Sequence, residues 1–199
     1  MALVLSLAAV VGGARADEEQ GWSKLNEDAG LLVEARPVPG TALREIRVRV
    51  ASPLSPAAIF AVLWDVAAQH DFVPNLRTVR VLRSSDDEIV VYERTKIPVV
   101  LDRDYVLRLT RHVDPATRVH EVFAEGLTEG PPPPRGVVRM TRLSSHFVIE
   151  PGASGGSMIT YTSFGDPVGK LPAWIIRAAD VRGPRDFVRA ILKRAAQAH

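Results

Sequence analysis

One short segment carries a pattern that could support nucleophilic chemistry. Residues 152–156 read Gly-Ala-Ser-Gly-Gly and fit the Gly-x-Ser-x-Gly pattern of a nucleophile elbow, in which a serine attacks a carbonyl carbon. That elbow requires a turn from a strand into a helix. The residues on both sides of the segment predict strands instead, so we interpret it as a hairpin loop.

Metal and thiol chemistry find no support in the residue types. The chain has no cysteine, which excludes disulfide frameworks, thiolate metal sites and thiol nucleophiles. Five histidines lie far apart, and no pair has the i, i+4 spacing of metal ligands on a helix: His70, His112, His120, His146 and His199. We expect neither a metal nor another cofactor.

Charged residues on two predicted strands are the remaining candidates for chemistry. Asp102 and Asp104 share one strand face and flank Arg103, which predicts either a structural ion pair at the strand end or a buried charge that faces a ligand. Glu93 and Arg94 are consecutive and must point to opposite faces of their strand. One of them can therefore point into the interior, and a solvated strand residue is the alternative for Glu93.

The composition is that of one globular domain. The chain has 199 residues and a mass of 21.7 kDa, with 46% hydrophobic and 24% charged residues. Lys and Arg number 25 against 23 Asp and Glu, which leaves a net charge of +2. We expect no nucleic-acid partner, because nothing in this balance calls for one.

The N-terminus resembles an export signal. An apolar run from Leu3 to Val11 is too short to span a bilayer, and the small-x-small pattern Ala14-Arg15-Ala16 follows it. We predict a signal peptide over residues 1–16, a single domain over residues 17–199, and a periplasmic or secreted location. A buried N-terminal helix is the alternative for the apolar run.

The mature chain predicts helices at its two ends and after its second strand, with strands elsewhere. Trp22 and Leu25 have helical spacing and predict a short helix from Asp17 to about Asp28. The alternation of Ile46, Val48 and Val50 with charged residues predicts a strand with one dry and one wet face. The remaining predicted elements are a strand at 31–36, a helix opened by Ser55-Pro56, strands at 77–83, 88–96, 103–113, 118–126, 137–150 and 158–164, and a long helix after Pro172 that Gly183-Pro184 should kink or break.

This order predicts an α+β helix-grip fold, because a long antiparallel sheet curls and an apolar C-terminal helix can lie across its concave side. The helix either packs tightly against the sheet or leaves a pocket between the two surfaces.

Six collinear segments match one known family. They are 30–36 (Gly-Leu-Leu-Val-Glu-Ala-Arg), 60–65 (Phe-Ala-Val-Leu-Trp-Asp), 102–106 (Asp-Arg-Asp-Tyr-Val), 136–139 (Gly-Val-Val-Arg), 147–151 (Phe-Val-Ile-Glu-Pro) with Gly156 and Tyr161, and 166–175 (Asp-Pro-Val-Gly-Lys-Leu-Pro-Ala-Trp-Ile). The chain thereby resembles the StAR-related lipid-transfer (START) family from Trp22 to about Ala196.

The resemblance implies a non-enzymatic carrier that holds one lipid in a hydrophobic tunnel beneath the last helix. It also implies transient contact with a membrane surface, and we expect a monomer. A cyclase or hydrolase of the wider helix-grip superfamily, acting on an apolar substrate with Glu93 as a buried acid, is the alternative from the enzyme class. A lipid sensor is a third possibility.

Departures from the family pattern leave the ligand open. The resemblance places Gln69 where the phosphatidylcholine-transfer branch has a phosphate-binding Arg. In the sterol branch a Glu and an Arg line the polar end of the pocket; Glu93 matches the Glu, whereas Leu109 occupies the Arg position. Val168 replaces the first Gly of the turn before the last helix.

Fourteen residues are candidates for the wall of the cavity, although each large one is individually more typical of a core position. They are Tyr92, Glu93, Arg103, Tyr105, Leu107, Leu109, Phe123, Met140, Phe147, Tyr161, Trp174, Ile175, Val188 and Ile191.

Overall fold

A computed structural model describes residues 21–152 and 155–198 of the chain. The predicted signal peptide, the start of the predicted first helix, and Ala153 and Ser154 of the hairpin loop lie outside the described residues. These residues form ten strands and two α-helices in this order: β1 Ser23–Asp28, β2 Leu31–Pro37, β3 Arg44–Ser52, α1 Pro56–Trp64, β4 Leu76–Ser84, β5 Glu88–Thr95, β6 Asp102–Val113, β7 His120–Leu127, β8 Val137–Arg139, β9 Leu143–Pro151, β10 Ser157–Gly165 and α2 Ala173–Gln197.

A single curved sheet holds all ten strands, with the order β1-β2-β3-β10-β9-β7-β6-β5-β4. Every neighbouring pair along this path is antiparallel, and short β8 lies parallel to β6 at one end. The sheet curls around α2, as the predicted helix-grip fold requires. α1 starts at the predicted N-cap, where the Ser55 hydroxyl accepts a hydrogen bond from the Ala58 amide.

The predicted first helix is wrong over the residues that the structure describes. Ser23–Asp28 is strand β1, and it pairs with β2 through a two-residue turn at Ala29 and Gly30. Both turn residues have positive φ, 50° and 76°, which is the geometry of a tight hairpin turn. The sequence lacks the usual Asn-Gly signal at this turn, so the helical spacing of Trp22 and Leu25 was misleading.

The outer face of β2 and β3 is less exposed to solvent than the alternation of apolar and charged residues predicts. Arg47 is 5% exposed, and its guanidinium lies 2.9 Å from the Glu34 carboxylate of the neighbouring strand. The Trp22 ring covers both Arg36 and Arg47, with the guanidinium carbons 4.7 and 4.5 Å from the ring centroid. Trp22, which immediately precedes β1, thus shields charged residues that the pattern alone assigned to solvent.

The predicted strand 137–150 is two elements. β8 pairs with the start of β6, and the chain then crosses to β9 at Leu143. Arg139 at the end of β8 donates two hydrogen bonds of 2.9 Å to the Asp104 carboxylate, which is completely buried. This bidentate ion pair fixes the break, because leaving a buried carboxylate unpaired is strongly unfavourable.

Helix α2 runs without interruption through Gly183-Pro184, so a break there is wrong, while the alternative of a kink stays a prediction. Its second half packs tightly, with Val188, Ile191 and Ala195 completely buried in the main core. Toward its start, Arg44 of β3 holds Asp180 at 2.5 Å. Contacts on both sides of the proline keep the helix whole despite the missing N–H. No helix among residues 21–152 and 155–198 is both long and apolar enough to cross a bilayer.

Candidate functional site

A cavity of about 740 Å³ lies between the concave face of the sheet and the first half of α2. It falls within the size range of small-molecule sites. Its floor is formed by side chains at alternate positions of the central strands, which point to the same face. Three segments line its ends. They are residues 73–76 before β4, residues 95–98 at the end of β5, and the loop before α2.

Nine of the fourteen residues predicted from the sequence line this cavity. They are Glu93, Tyr105, Leu107, Leu109, Met140, Phe147, Tyr161, Trp174 and Ile175. Whether they contact a ligand stays a prediction, because lining is a geometric property. Most of them are apolar or aromatic, so the space favours an apolar guest.

Two candidates do not line this cavity, because their strands place them on the outer face of the sheet. Tyr92 is buried with Val90 and Val106, and its hydroxyl interacts with Asp104. Phe123 stacks on His146 with ring centroids 4.0 Å apart and is 42% exposed. The adjacent residues face inward instead: Glu93 follows Tyr92, and Val122 precedes Phe123.

Two further candidates, Val188 and Ile191, belong to the core and do not line the cavity. They lie on the tightly packed half of α2, where no space separates helix and sheet. Apolar residues recur along both halves of the helix, so their pattern does not indicate where the helix stands off from the sheet.

Arg103 fulfils neither of the roles predicted for it. Its buried guanidinium donates hydrogen bonds of 2.6 to 3.1 Å to the carbonyl oxygens of Leu101, Pro167 and Val168. The flanking acids have other partners, since Asp102 pairs with Arg94 at 2.7 Å and Asp104 pairs with Arg139. Arg103 therefore ties the loop before β6 to the loop before α2. Pro98 and Pro167 of these loops line one end of the cavity, which we call its mouth.

The loop before α2 contains a conformation that its sequence makes costly. Val168 has φ 54°, which a β-branched residue rarely adopts. The Asp166 carboxylate accepts a hydrogen bond of 3.0 Å from the Val168 amide, and Arg103 holds the Val168 carbonyl. These contacts retain the turn that the resemblance expects with glycine here, at a cost of roughly 1–3 kcal/mol.

The polar groups on the cavity floor are few. Glu93 of β5 lies directly opposite Tyr105 of β6 and is 7% exposed. Burial raises the pKa of Glu93 to about 7, while hydrogen bonding from Tyr105 lowers it. Burial, followed by the charge of Glu93, raises the pKa of Tyr105 well above its usual value.

A second hydroxyl group lies further along the floor. Burial raises the pKa of Tyr161, whose hydroxyl is hydrogen-bonded with Ser145 and Ser163. The two serines line the cavity and were not predicted, although they lie two residues from Phe147 and Tyr161 on the same strand faces. Period-two counting from those aromatic residues would have found them.

Of two other lining residues, Gln69 was indicated by the resemblance, at the position of a phosphate-binding Arg, whereas Phe187 had no signal in the sequence. Gln69 is buried, and its amide donates a hydrogen bond of 3.0 Å to the Leu63 carbonyl. Phe187 of α2 contacts the floor aromatics, with its ring centroid 5.3 Å from that of Tyr161. No group of three or more His, Asp or Glu side chains in the described part of the chain is arranged to hold a metal ion.

The START domain family model matches residues 5–198, nearly the whole chain. The chain belongs to the START domain family. A curated relative, the phosphatidylcholine transfer protein of Mus musculus, is 27% identical over 177 residues, which cover 86% of this chain and 82% of that protein. These matches support lipid binding or transfer as the general function of this START domain.

Two solved structures place the fold. A STAR-related lipid transfer protein from Xanthomonas axonopodis superposes with a TM-score of 0.81 at 27% identity, covering 89% of this START chain and 99% of that chain. Zhui aromatase/cyclase from Streptomyces sp. R1128 gives a TM-score of 0.55 at 18% identity, covering 77% and 94%, and shows the shared fold alone. The helix-grip architecture predicted from the sequence is confirmed.

Replacement of Glu93 by glutamine should stabilise the protein at high pH. Below pH 4.5 the carboxyl group is protonated in both the folded and the unfolded state, so burial of its charge costs nothing. That cost grows as the pH rises through about 7, and the difference between 4.5 and about 7 corresponds to about 3 kcal/mol. Urea unfolding of Glu93→Gln and the wild type should therefore agree at pH 4 and diverge at pH 8.

Glu125→Gln is the matched control, because Glu125 lies on the outer face of β7 and is half exposed. It should show no comparable divergence. A Glu93→Gln variant less stable than the wild type at pH 8 would contradict the assignment of a buried, energetically costly carboxylate.

Proposed function

We propose that this START domain binds one lipid-like molecule in the cavity between the curved sheet and α2 and carries it chemically unchanged. The observation that carries the proposal is the apolar cavity of about 740 Å³ beneath the first half of the helix. Burial of an acyl chain contributes about 0.8 kcal/mol per methylene, so a long chain held there can compete with a membrane. The names of the relatives, which describe lipid transfer, support the same function.

Filling the cavity should abolish uptake. Ala179 of α2 lines the cavity, and its side chain is exposed and not packed in the core. Ala179→Trp should reduce the amount of lipid that co-purifies with the protein at least about tenfold, because the indole ring occupies the guest's volume. Native mass spectrometry of protein purified from its own host measures this occupancy.

Ala196→Trp provides the control, because Ala196 is exposed on the same helix and does not line the cavity. It should retain full occupancy. Equal lipid content in a folded Ala179→Trp protein would place the ligand elsewhere and overturn the proposal.

An enzymatic function is the second candidate, and one observation favours it. Glu93 is a buried acid in the cavity with a pKa of about 7, which suits general acid or base catalysis near neutral pH. An altered product in the cavity, or turnover of an apolar substrate that Glu93→Gln abolishes, would replace the carrier function. An unaltered lipid in stoichiometric amount supports the carrier.

We also propose that the mouth of the cavity contacts a membrane when lipid enters or leaves. Four exposed apolar side chains surround it and form what we call the mouth patch: Val99 (79% exposed), Leu101 (56%), Trp174 (58%) and Val168 (39%). Exposed basic residues lie beside the patch, namely Lys96, Lys170, Arg177 and Arg182. Apolar tips flanked by positive charge are typical of surfaces that bind anionic lipid headgroups.

A charge placed in the mouth patch should slow transfer without emptying the cavity. Val99 does not line the cavity, so Val99→Asp should leave lipid occupancy unchanged. It should reduce the rate of lipid transfer between vesicles that contain anionic lipid several-fold, because an aspartate resists insertion into the bilayer. Val113→Asp, at the far end of β6 and 42% exposed, is the control and should transfer normally. Equal rates for both variants would contradict membrane contact through this patch.

The location of the protein is a proposal that follows from its N-terminal residues. We propose cleavage after Ala16 and export to the periplasm or beyond, because residues 3–16 combine a short apolar run with a small-x-small site. N-terminal sequencing of the protein from its host should start at Asp17. A chain that keeps residues 1–16 in the cytoplasm would contradict export.

A further inference from the structure

The floor of the cavity contains an acid with no cationic partner. Glu93 is 7% exposed and faces the cavity, and Tyr105 of the next strand is the group that interacts with its carboxyl group. Across residues 21–152 and 155–198, Glu93 takes part in no ion pair. A buried carboxyl group usually has a cationic partner, whereas Glu93 has the Tyr105 hydroxyl, and its two oxygen atoms can still accept a further hydrogen bond from a ligand.

The cations that line the cavity are engaged elsewhere or lie at its edge. Arg44 of β3 is held at 2.5 Å by Asp180 of α2. Lys96, after β5, and Arg182 of α2 are exposed to solvent. Asp186, the remaining acid of this wall, is held by the neighbouring Arg185 at 3.0 Å. None of these side chains contributes to the electrostatic environment that sets the pKa of Glu93.

The other strongly donating groups near the cavity are used within the protein. All three nitrogen atoms of the Arg103 guanidinium donate to backbone carbonyl oxygens, and the Gln69 amide donates to Leu63. An anionic group placed beside Glu93 would therefore meet a carboxyl group and two tyrosine hydroxyls, with no unpaired positive charge to neutralise it. A hydroxyl or ammonium group there can donate a hydrogen bond to Glu93.

We infer that the cavity selects lipids whose buried polar end donates hydrogen bonds and carries no negative charge, with Glu93 as the acceptor that selects them. This inference rests on the proposed function and deepens it by naming the ligand class. Alcohols and primary amines share the required chemistry, whereas phosphate, sulfonate and carboxylate groups at the buried end are rejected.

The selection depends on the charge of Glu93, and that charge varies near neutral pH. The titratable groups that face it from the neighbouring elements are Tyr105 of β6 and Tyr161 of β10, and burial raises the pKa of both phenols. They stay protonated between pH 6 and 8, so Glu93 is the group on the cavity floor that changes charge in this range.

Three single-chain probes of equal length test the inference: a long-chain alcohol, the corresponding primary amine and the corresponding alkyl sulfonate. Each competes with a lipophilic fluorescent dye for the cavity, below the concentration at which micelles form. At pH 8 the alcohol or the amine should bind at least about tenfold more tightly than the sulfonate. The sulfonate should gain affinity between pH 8 and pH 6, since protonation of Glu93 removes the repulsion and leaves the sulfonate charged.

Variants assign the effect to one residue. Glu93→Gln should bring the affinities of the three probes within about threefold of one another and remove the pH dependence. Glu125→Gln, on the outer face, should behave as the wild type. Tighter binding of the amine than of the alcohol identifies an ammonium ligand, and the reverse order identifies a hydroxyl ligand; both support the inference.

Two results overturn it. The first is equal affinity of the wild type for the sulfonate and the alcohol at pH 8. The second is a Glu93→Gln variant that still prefers the alcohol or the amine over the sulfonate as strongly as the wild type does. If Ala179→Trp still blocks all three probes in those cases, the inference fails and the carrier function stands. If none of the three probes displaces the dye, both fail. Should Glu93→Gln not fold, the pH dependence of sulfonate binding to the wild type decides the question alone.

Discussion

The cavity depends on one feature of the packing, which is that α2 contacts the sheet closely along its second half only. Val188, Ile191 and Ala195 anchor that half in the core. The first half is held at its side by the Arg44–Asp180 ion pair, which bridges helix and sheet without filling the space between them. A hydrophobic void of this size is normally unfavourable, because the interior of a protein is close-packed. A guest that fills it removes this cost.

The mouth of the cavity is organised by Arg103, a single buried guanidinium. Its hydrogen bonds to the carbonyl oxygens of Leu101, Pro167 and Val168 link two loops that are distant in the sequence. The same loops carry Val99, Leu101 and Val168 of the mouth patch, and Val99 and Val168 have positive φ. Unusual backbone geometry held by neighbouring contacts is typical of functional segments. Arg103 therefore holds the two loops together beside the cavity.

The sequence predicts the sheet well because one face of each strand is dry. Alternation located nearly all of the strands, and the motif order located α2 and its place across the sheet. Prediction from the sequence failed where tertiary contacts replace local signals. β1 is a strand because it pairs with β2, and Arg47 is buried because Trp22 covers it. The predicted strand from Val137 to Glu150 divides because Arg139 reaches Asp104.

The site was predicted in part for the same reason. Tyr105, Leu107 and Leu109 share a parity that places all three on the cavity floor, whereas Tyr92 and Phe123 are one residue out of phase and lie outside. Sequence parity cannot distinguish a packed helix face from one that stands off, so Val188 and Ile191 were included although they belong to the core. The sequence predicted that either Glu93 or Arg94 can point inward. Only the structure shows that the inward residue is Glu93 and that it has no cationic partner.

The central claim is that the space beneath the first half of α2 holds a guest. A high-resolution electron density map of the protein purified from its own host tests it most directly. The account predicts continuous, elongated density that is not protein, running along the aromatic floor with one end within hydrogen-bonding distance of Glu93. A map in which the protein's own side chains fill that space completely would contradict it.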